Sequence, residues 1–201
     1  MATVEVQRCG WCQGDQLYRD YHDQVWGLPE FDDQMLFEFL LLEGAQAGLS
    51  WITILRKREH YRQAFDGFDP VAIAAYDDHK KAELLQNQGI IRNRLKIDCA
   101  ISNARSYLDI VAKGRSFADY LWGFVDGTPV QNHYVSMADV PANTPTSDAM
   151  SKRLKADGFK FVGTTICYAF MQATGMVNDH LLSCYRHEQC AAAGMQGIVR
   201  L

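Results

Sequence analysis

The amino-acid sequence predicts a compact, mainly helical fold, and three observations support this prediction. First, apolar residues recur at helical spacing, as in the stripe formed by Leu36, Phe37 and Leu40. Second, helix start signals recur, such as Asp69 directly before Pro70. Third, the 201 residues are 48% hydrophobic, which is enough to bury a core in one compact unit without disulfides.

The first strong helix is predicted to begin at Asp32 or Asp33 and to run to about Glu43. An aspartate at this position can accept hydrogen bonds from the free N–H groups of the first helical turn. Gly48 then interrupts the pattern, and a second helix is predicted to begin near Ser50.

Three further helices are predicted in the middle of the chain. Asp69 and Pro70 mark a start, since aspartate caps a helix and proline fits its first position. A short helix is predicted to end at residues 84–85. A long helix is predicted over residues 94–113, with Gly114 as its stop.

The last third of the sequence is less regular. Residues 126–148 hold three of the five prolines and are predicted to form a surface connection with short turns. Thr146 or Ser147 is expected to cap the next helix, whereas residues 162–173 fit either a buried helix or a strand. The tail from Cys190 is rich in alanine and glycine and is expected to be loosely held.

The net charge of -4 and the pI of about 5.8 argue mildly against a nucleic-acid-binding protein. Basic residues nevertheless cluster within residues 56–58, 92–96 and 152–160, where they fit either DNA contacts or solvated helix faces. No apolar run is long enough to span a bilayer, and the N-terminus carries no signal-peptide pattern. A soluble, cytoplasmic protein without a membrane partner is expected.

Cysteine and histidine residues at the two ends of the chain predict a metal site. His180 and Cys184 are four residues apart, a spacing that on a helix places both side chains on one face. Cys9 and His22 lie thirteen residues apart near the other end. Two thiolates and two imidazoles form the tetrahedral donor set of structural zinc sites, so one zinc ion would join the two ends of the chain.

Other assignments of these residues remain open from the sequence alone. Cys12, His187 and Cys190 are also candidate ligands, and many histidine–cysteine pairs at helical spacing bind no metal. Cys9 and Cys12 form a C-G-W-C motif, which in a thioredoxin-like context would be a redox pair. No strand–helix pattern supports such a context here.

Aromatic residues are concentrated near the N-terminus, in the same part of the sequence as one isolated carboxylate. Glu43 ends an apolar helix, where a carboxylate is unfavourable unless it meets a partner. A planar, cationic ligand between aromatic rings would be such a partner. Each aromatic residue alone fits a hydrophobic core equally well. The aromatic residues concerned are Trp11, Tyr18, Tyr21, Trp26 and Trp51.

Two loops have the composition of segments that approach a nucleic acid. Gly48 allows close approach of the backbone to a ligand, and Leu49 is a candidate apolar wedge between base steps. Residues 88–93 form a glycine-containing turn before the long helix, whose N-terminus offers N–H groups to a phosphate. Most turns of this kind bind nothing. The central residues of the turn are Gly89, Ile90, Ile91 and Arg92.

Several long motifs occur together and in a fixed order. They are Cys9-Gly10-Trp11, Tyr21-His22-Asp23, Trp26-Gly27, residues 43–51, Gly89-Ile90-Ile91-Arg92, residues 158–165 and Asn178-Asp179-His180. Over about residues 7–186 the sequence resembles the bacterial 3-methyladenine DNA glycosylase I family. The resemblance implies an all-α helix-hairpin-helix DNA glycosylase fold, with two helical lobes in a single domain and a structural zinc ion that joins the two termini.

The resemblance also implies roles for individual residues. Glu43 corresponds to the catalytic carboxylate of the base pocket. Its neighbours in that pocket are Tyr21 and Trp51, with Trp11, Tyr18 and Trp26 in or near the same cluster. The implied zinc ligands are Cys9, His22, His180 and Cys184. The implied DNA-facing residues are Gly48, Leu49, Gly89, Ile90, Ile91, Arg92, Lys160, Gly163 and Thr164.

The activity implied by the resemblance is base-excision repair. The protein is expected to be a monomeric, monofunctional hydrolase that releases 3-methyladenine from double-stranded DNA and leaves an abasic site. The family lacks the catalytic aspartate usual in helix-hairpin-helix glycosylases, and Asp109 is interpreted as a solvent-facing helix residue. Lys96 is interpreted as a phosphate contact or a solvated side chain. The alternatives are a non-catalytic, zinc-containing DNA-binding module and a thiol oxidoreductase that uses Cys9 and Cys12.

Overall fold

The computed structural model describes residues 6–197, and most of them are helical. In chain order the α-helices are α1 (Gln16–Gln24), α2 (Asp33–Gln46), α3 (Trp51–Leu55), α4 (Arg58–Ala64), α5 (Pro70–Ala74), α6 (Asp78–Gln86), α7 (Arg94–Val111), α8 (Phe117–Trp122), α9 (Pro145–Ala156), α10 (Thr164–Ala173) and α11 (Arg186–Gly197). Two short strands, β1 (Val130–Gln131) and β2 (Val177–Asn178), pair in parallel. Within residues 6–197, no helix has the length and apolar composition needed to cross a membrane.

Side chains cap several helices at the residues that the sequence predicts. The carboxylate of Asp32 accepts the N–H of Met35 at the start of α2, and the prediction of this start is confirmed. The carboxylate of Asp69 accepts the N–H of Val71 in the same way at the start of α5. The predicted long helix is α7, and Gly114 follows it with a φ of 78°.

The start of α9 differs from the prediction. Thr144, and neither Thr146 nor Ser147, is the N-cap residue of this helix. The hydroxyl of Thr144 accepts the N–H of Ser147, and the hydroxyl of Ser147 accepts the N–H of Thr144. This reciprocal capping box places Pro145 at the first helical position, where the N–H that proline lacks is not needed.

Helix α2 is the central helix of the fold. It packs against α3, α7, α8 and α10, and all residues from Leu36 to Ala45 are buried. The helix runs past the predicted end near Glu43 and continues to Gln46, so its last turns lie in the interior. Gly44 packs closely there, because a Cβ at this position would lie 3.2 Å from the Cβ of Phe161.

Two carboxylates lie on this buried helix, and they differ in their partners. Glu38 accepts hydrogen bonds from the Nε atoms of Arg58 and Arg62, at 2.6 Å and 2.9 Å. A buried carboxylate normally has such partners, because loss of its hydration shell is costly. The Oε2 atom of Glu43 is also buried, but it has no hydrogen-bond partner among residues 6–197.

The C-terminal tail is held more firmly than the sequence suggested. Cys190 is buried in α11, and a Cβ at Gly194 would lie 3.1 Å from Pro129. The predicted surface connection, residues 126–148, contains β1 and is anchored by its pairing with β2. Two-residue strands have no periodicity that a sequence pattern could show. The ambiguous segment 162–173 forms α10.

Candidate active site and metal centre

A cavity with about 540 Å³ of free space, open to solvent, lies between α1, α2, α3 and α10. Five aromatic residues and one carboxylate that the sequence singled out all contribute to its wall. The lining residues are Trp11, Tyr18, Tyr21, Trp26, Glu43, Gln46, Trp51, Met137, Ala169 and Gln172.

Glu43 is the acidic residue in this wall. Its side chain is buried, and this burial raises the pKa of the carboxyl group to about 8. The group is therefore mostly protonated at pH 7 in the free protein, because no neighbouring charge offsets the loss of hydration. A cation in the cavity would lower this pKa and supply the missing partner.

The aromatic side chains of the cavity wall pack against their neighbours, and one indole N–H among them has no hydrogen-bond acceptor in the residues that the structure describes. The ring centroid of Trp11 lies 4.9 Å from that of Tyr18 and 5.0 Å from that of Trp26. The rings of Tyr21 and Trp51 have centroids 5.5 Å apart. The Nε1 atom of Trp51 is buried without a hydrogen-bond partner in the described part of the chain. Because buried polar atoms are normally satisfied, this donor and the Glu43 carboxyl indicate a cavity complementary to a planar, polar ligand.

Three residues of the wall were missed by sequence reasoning. Met137 comes from the segment 126–148, and Ala169 and Gln172 come from α10. The side-chain amide of Gln172 donates to the buried carboxylate of Asp179 at 2.8 Å, which fixes its orientation. The motif around Asp179 was noticeable in the sequence, but its contact with a cavity residue depends on the tertiary fold.

Four predicted ligands converge at one buried point. The sulfur atoms of Cys9 and Cys184 and one ring nitrogen each of His22 and His180 lie within 4.8 Å of one another. The Sγ atom of Cys184 is 3.4 Å from Nε2 of His22 and 3.5 Å from Nδ1 of His180. The Sγ atom of Cys9 is 3.7 Å from Nδ1 of His180. A buried cluster of two thiols and two imidazoles could hold a metal ion.

The other ring nitrogens of both histidines have their own partners. Nδ1 of His22 lies 2.8 Å from the carboxylate of Asp23, and Nε2 of His180 lies 3.0 Å from the carbonyl oxygen of Trp26. Such outer contacts orient the imidazole rings in metal sites. A hydrogen bond from Cys9 holds the pKa of the Cys184 thiol well below its usual range, which favours the thiolate form that binds metals.

The backbone around two of these residues is not the predicted helix. His180 and Cys184 lie in the turns between β2 and α11, where the N–H of Cys184 donates to the carbonyl of Leu181 at 2.8 Å. Helical spacing therefore predicted the correct pair for an incorrect reason. The turn closed by this hydrogen bond spans about as many residues as one turn of an α-helix. It therefore also brings the side chains of His180 and Cys184 together.

The alternative ligands lie outside the cluster of four. The thiol of Cys12 donates to the carbonyl of Cys9 at 3.1 Å, and Nε2 of His187 lies 2.8 Å from the carbonyl of Asn132. Cys190 is buried on α11 and is not a member of the cluster. The structure has Cys9 and Cys12 as free thiols.

The predicted DNA-facing segments are only partly exposed. Leu49 is 40% exposed and follows Gly48, whose φ is 80°. In the turn before α7, Ile90 is buried, whereas the N–H of Ile91 donates to the hydroxyl of Tyr61. The N–H of Gly89 donates to the side chain of Asn87. The exposed side chain of Arg92 and the first N–H groups of α7 remain available to a phosphate.

The third predicted DNA-facing segment, with Lys160, Gly163 and Thr164, leads into the first turn of α10. Lys160 is exposed, and its backbone N–H donates to the side chain of Asn103 at 2.7 Å. Gly163 is the N-cap residue of α10, and the hydroxyl of Thr164 donates to Asp148. These contacts fix the backbone and leave the side chain of Lys160 free to reach a ligand.

Two further interpretations are decided by the structure. Asp109 is exposed on α7, as predicted. Lys96 is not a freely solvated side chain, because it is half-buried and its Nζ donates to the carbonyls of Ala45 and Ala47 at 2.7 Å and 2.9 Å. Its sequence position next to the turn suggested DNA contact, but the acceptors lie about fifty residues away in the chain.

Comparison with known proteins places the chain in a family. The model of the family described as methyladenine glycosylase matches residues 11–187. DNA-3-methyladenine glycosylase 1 of Escherichia coli (strain K12) is 52% identical over 179 residues, which are 89% of this chain and 96% of that protein. A crystal structure of 3-methyladenine DNA glycosylase I is 56% identical, with a TM-score of 0.88, and covers 89% of this chain and 98% of its own.

A more distant relative of known structure is 3-methyladenine DNA glycosylase I from Staphylococcus aureus, whose structure was solved to explain its recognition of 3-methyladenine. It is 36% identical to this chain, has a TM-score of 0.86 and covers 89% of this chain and 95% of its own. This chain thus resembles each of these relatives in sequence over most of its length, and it resembles the two solved structures in fold as well. The protein with the aromatic cavity around Glu43 therefore belongs to the methyladenine glycosylase family.

Proposed function

We propose that this protein hydrolyses the N-glycosidic bond of 3-methyladenine in double-stranded DNA and leaves an abasic site. One observation carries the proposal: the carboxyl group of Glu43 and the indole N–H of Trp51 are unpartnered in a cavity with aromatic walls. A planar, cationic purine has the charge and the flat faces that such a cavity fits. Family membership supports the same reaction.

The protein can distinguish 3-methyladenine from normal adenine by the charge of the base. Methylation at N3 gives the base in DNA a positive charge, whereas adenine is neutral. The cation favours the ionised form of Glu43, and the resulting attraction has no equivalent for adenine. The rings of Tyr21 and Trp51 supply stacking surfaces and hydrogen-bond donors at the edge of the base.

The same positive charge makes the base a good leaving group. When the bond between C1′ of the sugar and N9 of the base breaks, its electron pair neutralises the base. Water then adds its oxygen to C1′ and loses a proton to the solvent. The protein therefore needs little acid catalysis, and its main task is to extrude the nucleotide, which costs a few kcal/mol and least for a damaged base.

Three segments are proposed to contact the duplex. Leu49 would enter the base stack as a wedge beside the extruded nucleotide, next to Gly48 with its positive φ. The helix-hairpin-helix turn, with Gly89, Ile90, Ile91 and Arg92, would bind a backbone phosphate. The segment with Lys160, Gly163 and Thr164 would bind a second phosphate at the start of α10. We further propose that the chain acts as a monomer with a single domain of two helical lobes.

We propose that the cluster of Cys9, His22, His180 and Cys184 holds one structural zinc ion. Zinc–sulfur bonds of about 2.3 Å and zinc–nitrogen bonds of about 2.1 Å at a tetrahedral angle separate sulfur from nitrogen by about 3.6 Å. The three sulfur–nitrogen distances of 3.4, 3.5 and 3.7 Å fit this value. With all four positions taken by side chains, the ion would stabilise the fold without taking part in the reaction.

The direct test is base release from methylated duplex DNA. The purified protein is expected to liberate free 3-methyladenine, detected by chromatography, and to leave alkali-sensitive abasic sites in the strand. The Asp109→Asn variant is a suitable control and should keep full activity, because Asp109 is exposed on α7. Tight binding of the duplex without base release would instead indicate a non-catalytic DNA-binding module.

Leu49→Ala is expected to reduce single-turnover excision from duplex DNA by about tenfold or more, because the wedge stabilises the extruded state. The affinity for free 3-methyladenine should not change, since Leu49 is not part of the cavity wall. Val111→Ala is a matched control, because Val111 is exposed to the same degree, at 41%, and lies at the opposite end of α7 from the hairpin. Equal excision by wild type and Leu49→Ala would contradict the role as a wedge.

A further inference from the structure

Lys96 lies on the first turn of α7, and its ammonium group binds the end of another helix. It donates to the carbonyl oxygens of Ala45 at 2.7 Å and Ala47 at 2.9 Å. Both acceptors lie at the C-terminal end of α2, where the last carbonyls have no helical partners. A cation at this position also interacts favourably with the negative end of the helix dipole.

The segment that Lys96 holds leads directly to the proposed wedge. Ala47 is the C-cap residue of α2, Gly48 follows with a φ of 80°, and the N–H of Leu49 donates to the carbonyl of Gln46 at 2.6 Å. The carbonyls of Ala45, Gln46 and Ala47 are thus all satisfied. Without Lys96, two of them would lose their donor, and the glycine would let the loop change its course.

Lys96 also connects this loop to the proposed hairpin. The hairpin has two further contacts: Nζ of Lys57 donates to the carbonyl of Gln88 at 2.8 Å, and the hydroxyl of Tyr61 accepts the N–H of Ile91 at 3.1 Å. Helix α7 begins three residues after Ile91 and carries Lys96 on its first turn. Lys96 therefore links the loop that carries Leu49 to the hairpin through the first turn of α7.

We propose that Lys96 is a positioning residue for base excision, which fixes Leu49 relative to the hairpin so that both segments engage the duplex together. This inference rests on the proposed function and on the role of Leu49 as the wedge. Lys96 does not line the base cavity, so it acts on the engagement of DNA and leaves the binding of a free base unaffected.

The test compares Lys96→Met, which removes the donors but keeps an apolar side chain of similar length, with Lys96→Arg, which keeps a cationic donor. Single-turnover excision from methylated duplex DNA is expected to fall about tenfold or more in Lys96→Met, with partial rescue in Lys96→Arg. The affinity for free 3-methyladenine should stay the same in both. Lys113→Met is the matched control, because Lys113 is exposed beyond the other end of α7.

A double-mutant cycle with Leu49→Ala separates positioning from general stability. If Lys96 acts through the wedge, Lys96→Met should cause little further loss of excision in the Leu49→Ala background. An equal loss in both backgrounds, or full excision by Lys96→Met, would overturn the inference. If Lys96→Met does not fold, Lys96→Gln, which is shorter and lacks the positive charge, replaces it in the cycle, and full excision by this variant would equally overturn the inference.

The outcomes distinguish this inference from the function on which it rests. Failure of the wild-type protein to release 3-methyladenine would contradict the proposed reaction. Full excision by Leu49→Ala would contradict the wedge and, with it, the positioning role. Loss of excision in Leu49→Ala but not in Lys96→Met would contradict the role of Lys96 alone.

Discussion

Replacement of Glu43 by glutamine is expected to reduce excision of 3-methyladenine by about 10²–10³-fold, in a protein that remains folded. Glutamine has nearly the same shape as glutamate but cannot carry the negative charge that a cationic base induces in the pocket. Single-turnover release from methylated duplex DNA, compared between Glu43→Gln and wild type, measures this effect. The side chain of Gln46 lines the same cavity, so Gln46→Ala provides a comparison for an uncharged wall residue and should lose less activity.

The pH dependence of excision distinguishes a charged role of Glu43 from a neutral one. Burial raises its pKa to about 8, so the free protein must lose a proton before the carboxylate can pair with the cationic base. The kcat/KM of the wild type is expected to rise with pH and to level off above about pH 8, whereas Glu43→Gln should lack this rise. Identical profiles in both proteins would show that the charge of Glu43 plays no part.

The same substitution is expected to stabilise the protein at alkaline pH. The pKa of Glu43 is raised from 4.5 to about 8 by folding, so the folded protein retains a proton that the unfolded chain releases between these values. The contribution of this group to stability is therefore fully present below pH 4.5 and is lost as the pH rises to about 8. Since one pKa unit corresponds to about 1.4 kcal/mol, Glu43→Gln should gain several kcal/mol of unfolding free energy over wild type above pH 8, measured by denaturant titration.

Removal of the proposed zinc ion is expected to have the largest effect on stability. Purified protein should contain one zinc ion per chain, and a strong chelator or the Cys184→Ser substitution should lower the melting temperature severely or unfold the protein. Zinc binding contributes about 10–16 kcal/mol in small zinc domains, as much as the whole stability of a typical protein at about 5–15 kcal/mol. Metal analysis and thermal unfolding are the two measurements.

Cys12→Ser is the matched control for this experiment. Cys12 is as buried as the cysteines of the cluster but only donates to the carbonyl of Cys9. The variant should keep both zinc and base excision. A protein that contains no zinc and reduces a disulfide substrate, with loss of this reductase activity in Cys12→Ser, would instead favour the thiol oxidoreductase.

Local chemistry explains the parts of the fold that the sequence predicted well. Asp32 and Asp69 cap helices because their short side chains reach the first free N–H groups of the same segment. Gly114 ends α7 because glycine adopts the required positive φ at little cost. At the start of α9, by contrast, several hydroxyl residues compete within four positions, and only the three-dimensional turn selects Thr144.

Tertiary contacts explain what the sequence did not predict. Lys96 looks like any surface lysine of a helix, because the carbonyls that it binds are about fifty residues away. Met137 enters the cavity from a segment without a helical or strand pattern. The aromatic residues and Glu43 could be grouped in advance because most of them lie close together in the sequence. The protonation state of Glu43, however, depends on how deeply α2 is buried.

The cluster of two thiols and two imidazoles joins residues that are far apart in the sequence. His22 is synthesised early, but Cys184 follows 162 residues later. Two rings of the base pocket rest against the histidines of the cluster: Trp11 contacts His22 and Trp26 contacts His180, with centroids 5.3 Å and 4.6 Å apart. A translation product that stops before residue 180 would therefore lack the imidazole that supports the ring of Trp26.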